Sequence, residues 1–209
     1  MNIFKYDHSC IVIEKNNTRL VIDPVEIKTK LPHLDFVKAI IVTHSHPDHF
    51  NAQVIDKIVK RNPGVVIFTT EDNMQNLPTA IVVKHGEKRN IGEFIIEFFG
   101  ANHAPIDGNR IPCQNIGFVV DNMFVNPGDS FDIPPIPNPF VLAVPISGPW
   151  VKIIESMNYI RQLQPSKVLP VHDAILSDYG LPIHNNWISK ACIEVNAQHY
   201  PIKPGERLP

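Results

Sequence analysis

The chain has 209 residues, 44% of them hydrophobic, a net charge of −2 and a pI near 6.5, which allows one buried core over residues 1–209 and argues against gripping a phosphate backbone. Cys10, Cys113 and Cys192 are odd in number and far apart, with no C-x-x-C pair, so a disulfide framework is disfavoured and a reducing compartment expected. The first residues lack the basic start and apolar stretch of a signal peptide, and no apolar run approaches the ~20 residues of a bilayer span, so the expectation is a soluble cytoplasmic protein with a small-molecule substrate, no membrane or nucleic-acid partner, and homo-oligomer formation left open.

Along the chain, residues 9–14 and 18–22 flank Asn16-Asn17 and read as a β-hairpin. Residues 37–43 form a nearly continuous apolar run, the mark of a strand covered on both faces. Thr43-His44-Ser45-His46-Pro47-Asp48-His49 follows. The period then changes: Val54, Ile55, Ile58 and Val59 share one helical face, Lys57, Lys60 and Arg61 lie outside it, and Pro63-Gly64 is the stop. The H-x-H-x-D-H run therefore lies between a strand's carboxyl end and a helix start, where α/β proteins place ligands. Further strands are predicted at 65–69, 80–83, 94–99, 116–121, 123–126, 141–145 and 167–171, and a second helix at 151–163. The proline-rich stretch 131–140 reads as an irregular loop. Strands outnumber helices without strict alternation, which favours two sheets flanked by helices over one doubly wound sheet.

Imidazole nitrogen and carboxylate oxygen suit borderline divalent ions, and three His plus one Asp within six residues exceed what one ion takes from a single loop. The surplus points to two ions, with a single structural zinc as the blander reading. In an extended segment residues two apart face the same side, so His44 and His46 can serve one ion while the turn swings Asp48 and His49 toward another. The remaining ligands are sought at other strand ends, where His103, Asp129 (in Pro127-Gly128-Asp129-Ser130) and His172 stand. His8 reads equally as a buried or surface residue and as a pocket residue that binds substrate or gives a proton to the leaving group. His184 and the loop residues Asp107, Arg110 and Cys113 are further pocket candidates. His33, His85 and His199 read as surface residues, and Asp173 as a local hydrogen-bonding group.

These motifs, in this order and beginning with Ile22-Asp23-Pro24, resemble the metallo-β-lactamase superfamily of metal-dependent hydrolases. The opening Tyr6-Asp7-His8-Ser9-Cys10 and the closing Lys203-Pro204-Gly205-Glu206-Arg207 are similar to its compact branch, which includes ascorbate-6-phosphate lactonase-like proteins. The resemblance implies an αββα sandwich of two mixed sheets with the site at their upper edges. It implies that His44, His46 and His103 hold a first ion, that Asp48, His49 and His172 hold a second, that Asp129 bridges them, and that Asp23 orients a metal-bound His. It further implies that an ion-bridged hydroxide attacks a small ester, lactone or phosphoester, with Asp48, Asp129 and His8 in the catalytic apparatus. Zinc leads as the metal, with manganese and iron also suited to these ligands. A phosphodiesterase or nuclease of the same fold, a non-catalytic metal sensor and an iron oxygenase are the alternatives. True β-lactamases of the superfamily generally lack the equivalents of His49 and Asp129, which disfavours antibiotic hydrolysis.

Overall fold

The computed structural model describes residues 1–108 and 112–209. Short β-branched runs pair into two sheets. The first has the order β1 (Asn2–Lys5), β2 (Ile11–Lys15), β3 (Thr18–Ile22), β4 (Val37–Ile41), β5 (Val66–Thr69) and β6 (Ile81–Val82). Its β1–β2 and β2–β3 pairs are antiparallel and the rest parallel. Asn16 and Asn17 take φ of +48° and +60° between the paired Lys15 and Thr18, as a two-residue primed turn requires of the residues that tolerate that region best after glycine.

The second sheet runs in space from β13 (Gln198–His199) through β12 (Lys167–Val171), β11 (Val141–Pro145), β10 (Phe124–Asn126), β9 (Gly117–Val120) and β8 (Phe94–Phe99) to β7 (Lys88–Ile91). Pairs from β13 to β10 are parallel and those from β10 to β7 antiparallel. Alternation along the strands sorts the side chains into three apolar layers. Ile11, Ile13, Leu20, Ile22 and Ile41 meet Phe98, Phe118, Phe124 and Leu169 between the sheets. Outside the first sheet, Val12, Val21 and Ile40 pack on Val54, Ile55 and Ile58 of α1 (Ala52–Arg61). Outside the second, Leu142 and Val144 pack on Met157 and Ile160 of α2 (Ile153–Leu163) and Ile188 and Ala191 of α3 (Gly180–Glu194). The result is the four-layer αββα sandwich that the resemblance implied.

The predicted strands, both predicted helices and the irregular 131–140 loop are present, with ends shifted by a few residues. The sequence reading did not contain α3, β1, β7 or β13. Helix α3 carries Pro182 in its first turn and apolar groups on both faces, Ile183, Trp187 and Ile193 outward and Ile188, Ala191 and Cys192 inward. A helix of that kind lacks the one-sided stripe that marks amphipathic helices. Among the described residues no helix is long and apolar enough to cross a membrane.

Candidate metal centre

The upper edges of the sheets carry the candidate ligands. Buried β4 ends at Ile41, and the chain turns between residues 46 and 50, where the N–H groups of His49 and Phe50 both donate to the His46 carbonyl at 3.0 and 2.9 Å. Asn51 then caps α1, its side chain accepting from Gln53 and Val54 N–H at 3.1 and 3.2 Å. His103 follows β8, Asp129 follows β10 and His172 follows β12. They meet in two groups, His44/His46/His103/Asp129 and His8/Asp48/His49/His172, with the potential ligand atoms of each group within 4.8 Å of one another.

Asp129 lies between the groups. Its Oδ2 is 3.3 Å from His103 Nε2, 3.8 Å from His44 Nε2 and 2.9 Å from His172 Nε2, and its Oδ1 is 3.1 Å from His49 Nε2. Its own placement is tightly set: the Asp129 N–H donates to Asn115 Oδ1 at 2.9 Å, and Asn115 Nδ2 donates to the Pro127 carbonyl at 2.9 Å. Gly128 is at φ +62°, and a Cβ there would stand 2.2 Å from Asn115 Oδ1, so only glycine lets Asn115 close over this turn.

The far sides of the imidazoles show which nitrogen each has free. His49 Nδ1 donates to Asp23 Oδ2 at 2.8 Å. Thr43 Oγ1 donates to the same oxygen at 2.8 Å and accepts from His44 Nδ1 at 3.0 Å. His103 Nδ1 donates to the Ala104 carbonyl at 2.5 Å. Each of these bonds takes the Nδ1 proton outward and leaves Nε2 as the inward nitrogen, the one a histidine would offer a cation. His46 is turned the other way, with Nδ1 3.1 Å from His44 Nε2 and Nε2 3.5 Å from Cys113 Sγ. His49 Nε2, His103 Nε2, Asp129 Oδ1 and both His172 nitrogens are buried without a hydrogen-bond partner. Clustered, buried imidazole nitrogens and carboxylate oxygens without hydrogen-bond partners fit a divalent cation, which accepts electron pairs from both types.

Asp23 is fully buried, accepts from Thr43 N–H at 2.8 Å as well, and takes φ +42°. It thus holds both His49 and, through Thr43, His44. Trp150 was not singled out from sequence: it is nearly buried, its indole Nε1 donates to Asp129 Oδ2 at 3.0 Å, and its ring meets those of His103 and His172 edge-on. A Cβ on Gly148 would stand 3.0 Å from the indole nitrogen and 3.2 Å from His172 Cε1, so this strand-end turn requires glycine for the Trp to enter. The signal available was position, since Ser147-Gly148-Pro149-Trp150 follows a fully buried strand as the other site segments do.

His184 Nδ1 lies 2.6 Å from the Ile146 carbonyl and belongs to neither group. Arg110 lies outside the described residues. Asp107 and Cys113 line a cavity of about 210 Å³ with His46, His103, Ala104, Ile106 and Pro112. A larger one, about 380 Å³ between α1 and residues 31–34, contains none of the candidate ligands, and its Lys57, Lys60 and Arg61 are paired with Glu26, Asp56 and Asp35. His33 and His85 are exposed and His199 half-buried. Asp173, read as a local group, instead receives two hydrogen bonds from buried Lys5, at 2.9 and 3.0 Å, from the opposite end of the chain.

Residues 2–172 match the family described as Beta-lactamase superfamily domain, a span that ends on His172. The chain belongs to the metallo-β-lactamase superfamily. Within that superfamily it is 30% identical over 191 residues to the UPF0173 metal-dependent hydrolase NEQ378 of Nanoarchaeum equitans, covering 82% of this chain and 83% of that protein. The fold is shared with the metallo hydrolase Igni18 of Ignicoccus hospitalis at a TM-score of 0.73 and 20% identity, over 99% of this chain and 97% of the other. It is also shared with CmlA, a diiron β-hydroxylase from Streptomyces venezuelae, at a TM-score of 0.75 and 12% identity, over 99% of this chain and 53% of that one.

In this metallo-β-lactamase-superfamily site the metal-free charge balance is pH-sensitive. Burial holds His8 down at about 4 and His44 well below the ordinary 6.5, and it lowers His46 too. For His49 burial acts in the same direction but is outweighed by Asp129 and Asp23, which hold its imidazole well above 6.5. The three lowered groups bind protons in the unfolded chain before they do in the folded one. Their contribution is therefore complete above about 6.5 and is lost as pH falls toward about 4. His49 has the opposite sign, its contribution being lost as pH rises through its raised folded value. Burial raises the Asp23 carboxyl, which acts with the sign of His49, and lowers His199, which acts with His8, His44 and His46; with the lowered imidazoles in the majority, urea denaturation of the chelated protein is expected to show lower stability at about pH 5 than at about pH 7. Equal or greater stability at the lower pH would mean that these imidazoles do not remain neutral when buried.

Proposed function

We propose that this protein is a hydrolase that holds two divalent ions and cleaves a small ester, lactone or phosphoester. The observation that carries this reading is the position of Asp129, whose two carboxylate oxygens reach His103 and His44 on one side and His49 on the other. When bound, the ions would supply an activated water and a counter-charge for the oxygen that gains negative charge during attack. His44, His46 and His103 would hold one ion, Asp48, His49 and His172 the other, and Asp129 both. Asp23 and Thr43 hold the Nδ1 protons of His49 and His44, so that Nε2 is the nitrogen each ring would offer an ion. Trp150 closes the wall beside Asp129 and keeps bulk water from that oxygen. The cavity beside His46 and His103, about 210 Å³, is below the ~300–1,000 Å³ of drug-sized sites, which supports a small substrate.

The test is metal analysis of protein purified without chelator, joined to a screen against lactones, thioesters, phosphodiesters and cyclic nucleotides. About two equivalents of metal with turnover of a small ester or lactone is the expected result. Turnover confined to phosphodiesters would move the assignment to the phosphodiesterase reading. Unchanged metal content and hydrolysis in His44→Ala would remove the proposal altogether.

A further inference from the structure

His8 stands in the group with Asp48, His49 and His172, and its composition alone would make it a fourth ligand there. Two hydrogen bonds decide against that role. The backbone N–H of Ala174 donates to His8 Nδ1 at 3.1 Å. A backbone N–H can only donate, so Nδ1 holds a lone pair. A neutral imidazole carries one proton, which then sits on Nε2, and Nε2 is 3.2 Å from Asp48 Oδ2. Coordination through Nε2 would instead require the proton on Nδ1, where it would meet the Ala174 N–H.

We propose that His8 is the positioning residue for Asp48. Its Nε2–H donates to Oδ2, fixes the plane of a carboxylate that is otherwise partly exposed, and leaves the remaining lone pairs to the second ion. The same segment sets His172. The His172 N–H donates to the His8 carbonyl at 3.1 Å, the two rings lie with centroids 3.8 Å apart, and Lys5 holds Asp173 with both carboxylate oxygens. His8 therefore ties two ligands of one half of the centre to each other, although residues 8, 48 and 172 come from three separate turns. Its backbone is at φ +56°, a conformation that glycine adopts more easily than a residue with a side chain. The imidazole is held there against that local preference, by the bonds to Asp48 and Ala174.

This inference rests on the two-ion reading, and the experiment separates the two. Zinc is titrated into chelator-treated protein with a competing chelator, and the tautomer of His8 is read by 15N NMR of histidine-labelled, zinc-loaded protein. The wild type is expected to bind two zinc ions, with His8 Nε2 protonated and Nδ1 not. His8→Ala is expected to keep one zinc at wild-type affinity and to weaken the other by ~10- to 100-fold. His8→Gln, whose carboxamide N–H reaches toward Asp48, is expected to recover most of that loss. The proposal is overturned if zinc sits on His8 Nε2 in the labelled wild type, a readout that needs no variant to fold, or if His8→Ala binds both ions unchanged. Wild-type protein that binds one zinc or none brings down the two-ion reading itself, before any variant is measured, and this proposal with it.

Discussion

Asp129→Ala is expected to leave the protein unable to retain either ion through gel filtration and to lower hydrolysis by roughly 10³-fold or more. Asp129 is the one carboxylate among the described residues that reaches both groups, and it is almost fully buried. Burial pushes its pKa up, but the neighbouring imidazoles of His49, His103 and His172 outweigh this and hold the carboxyl well below the usual range. It is therefore a charge in the folded protein, set among four imidazoles. Without it, lone pairs of His103, His172 and His49 face one another with no anion between them. Asp129→Asn keeps the shape but loses the charge and turns an N–H₂ toward nitrogens that need a cation, so it is expected to fail as well. Elemental analysis of each variant after gel filtration is the check, and wild-type metal content in either one would show that the carboxylate does not hold the ions.

Asp23→Ala has the largest expected effect on stability. Asp23 is fully buried and accepts from Thr43 N–H, Thr43 Oγ1 and His49 Nδ1, each at 2.8 Å. Its removal strands those donors and leaves His49, held well above its ordinary pKa, as a buried charge with one partner fewer. Breaking a buried pair in this way costs ~3–5 kcal/mol. Because the same residue fixes the far side of His49, metal affinity should fall with it, by ~10- to 100-fold. Asp23→Asn, which can still accept from the Thr43 N–H, should lose less stability than Asp23→Ala. Denaturant melts of the metal-free variants measure the first effect and zinc titration the second. A loss under ~1 kcal/mol in Asp23→Ala would show that water replaces the carboxylate and that the pair is not sealed in the core.

The His and Asp residues proposed as ligands could be picked out at strand ends because both of their signals are local. An apolar run marks the strand, and the next His or Asp falls at its carboxyl edge, as with His103 after Phe98-Phe99 or His172 after Val171. The groups that hold the ligands were less legible, because their partners lie far along the chain. Asn115 acts on Asp129 fourteen residues away, Trp150 on the same carboxylate from twenty-one, and His8 is defined by the amide of Ala174. Its place after a buried strand marks Trp150 as part of a site segment, but nothing near it in sequence says that its indole will meet an acid. Helix α3 escaped for a different reason: apolar side chains on both faces erase the period by which a helix is read.

The two sheets contribute to the centre from separate stretches of chain. His8, His44, His46, Asp48 and His49 belong to turns of the first sheet, and His103, Asp129 and His172 to turns of the second. A nascent chain that has finished only its first sheet holds an incomplete set of either group, and so does a chain whose sheets are formed but apart. On the two-ion proposal, cation capture would inspect assembly: the ion would read the distance between two surfaces whose apolar packing lies below it.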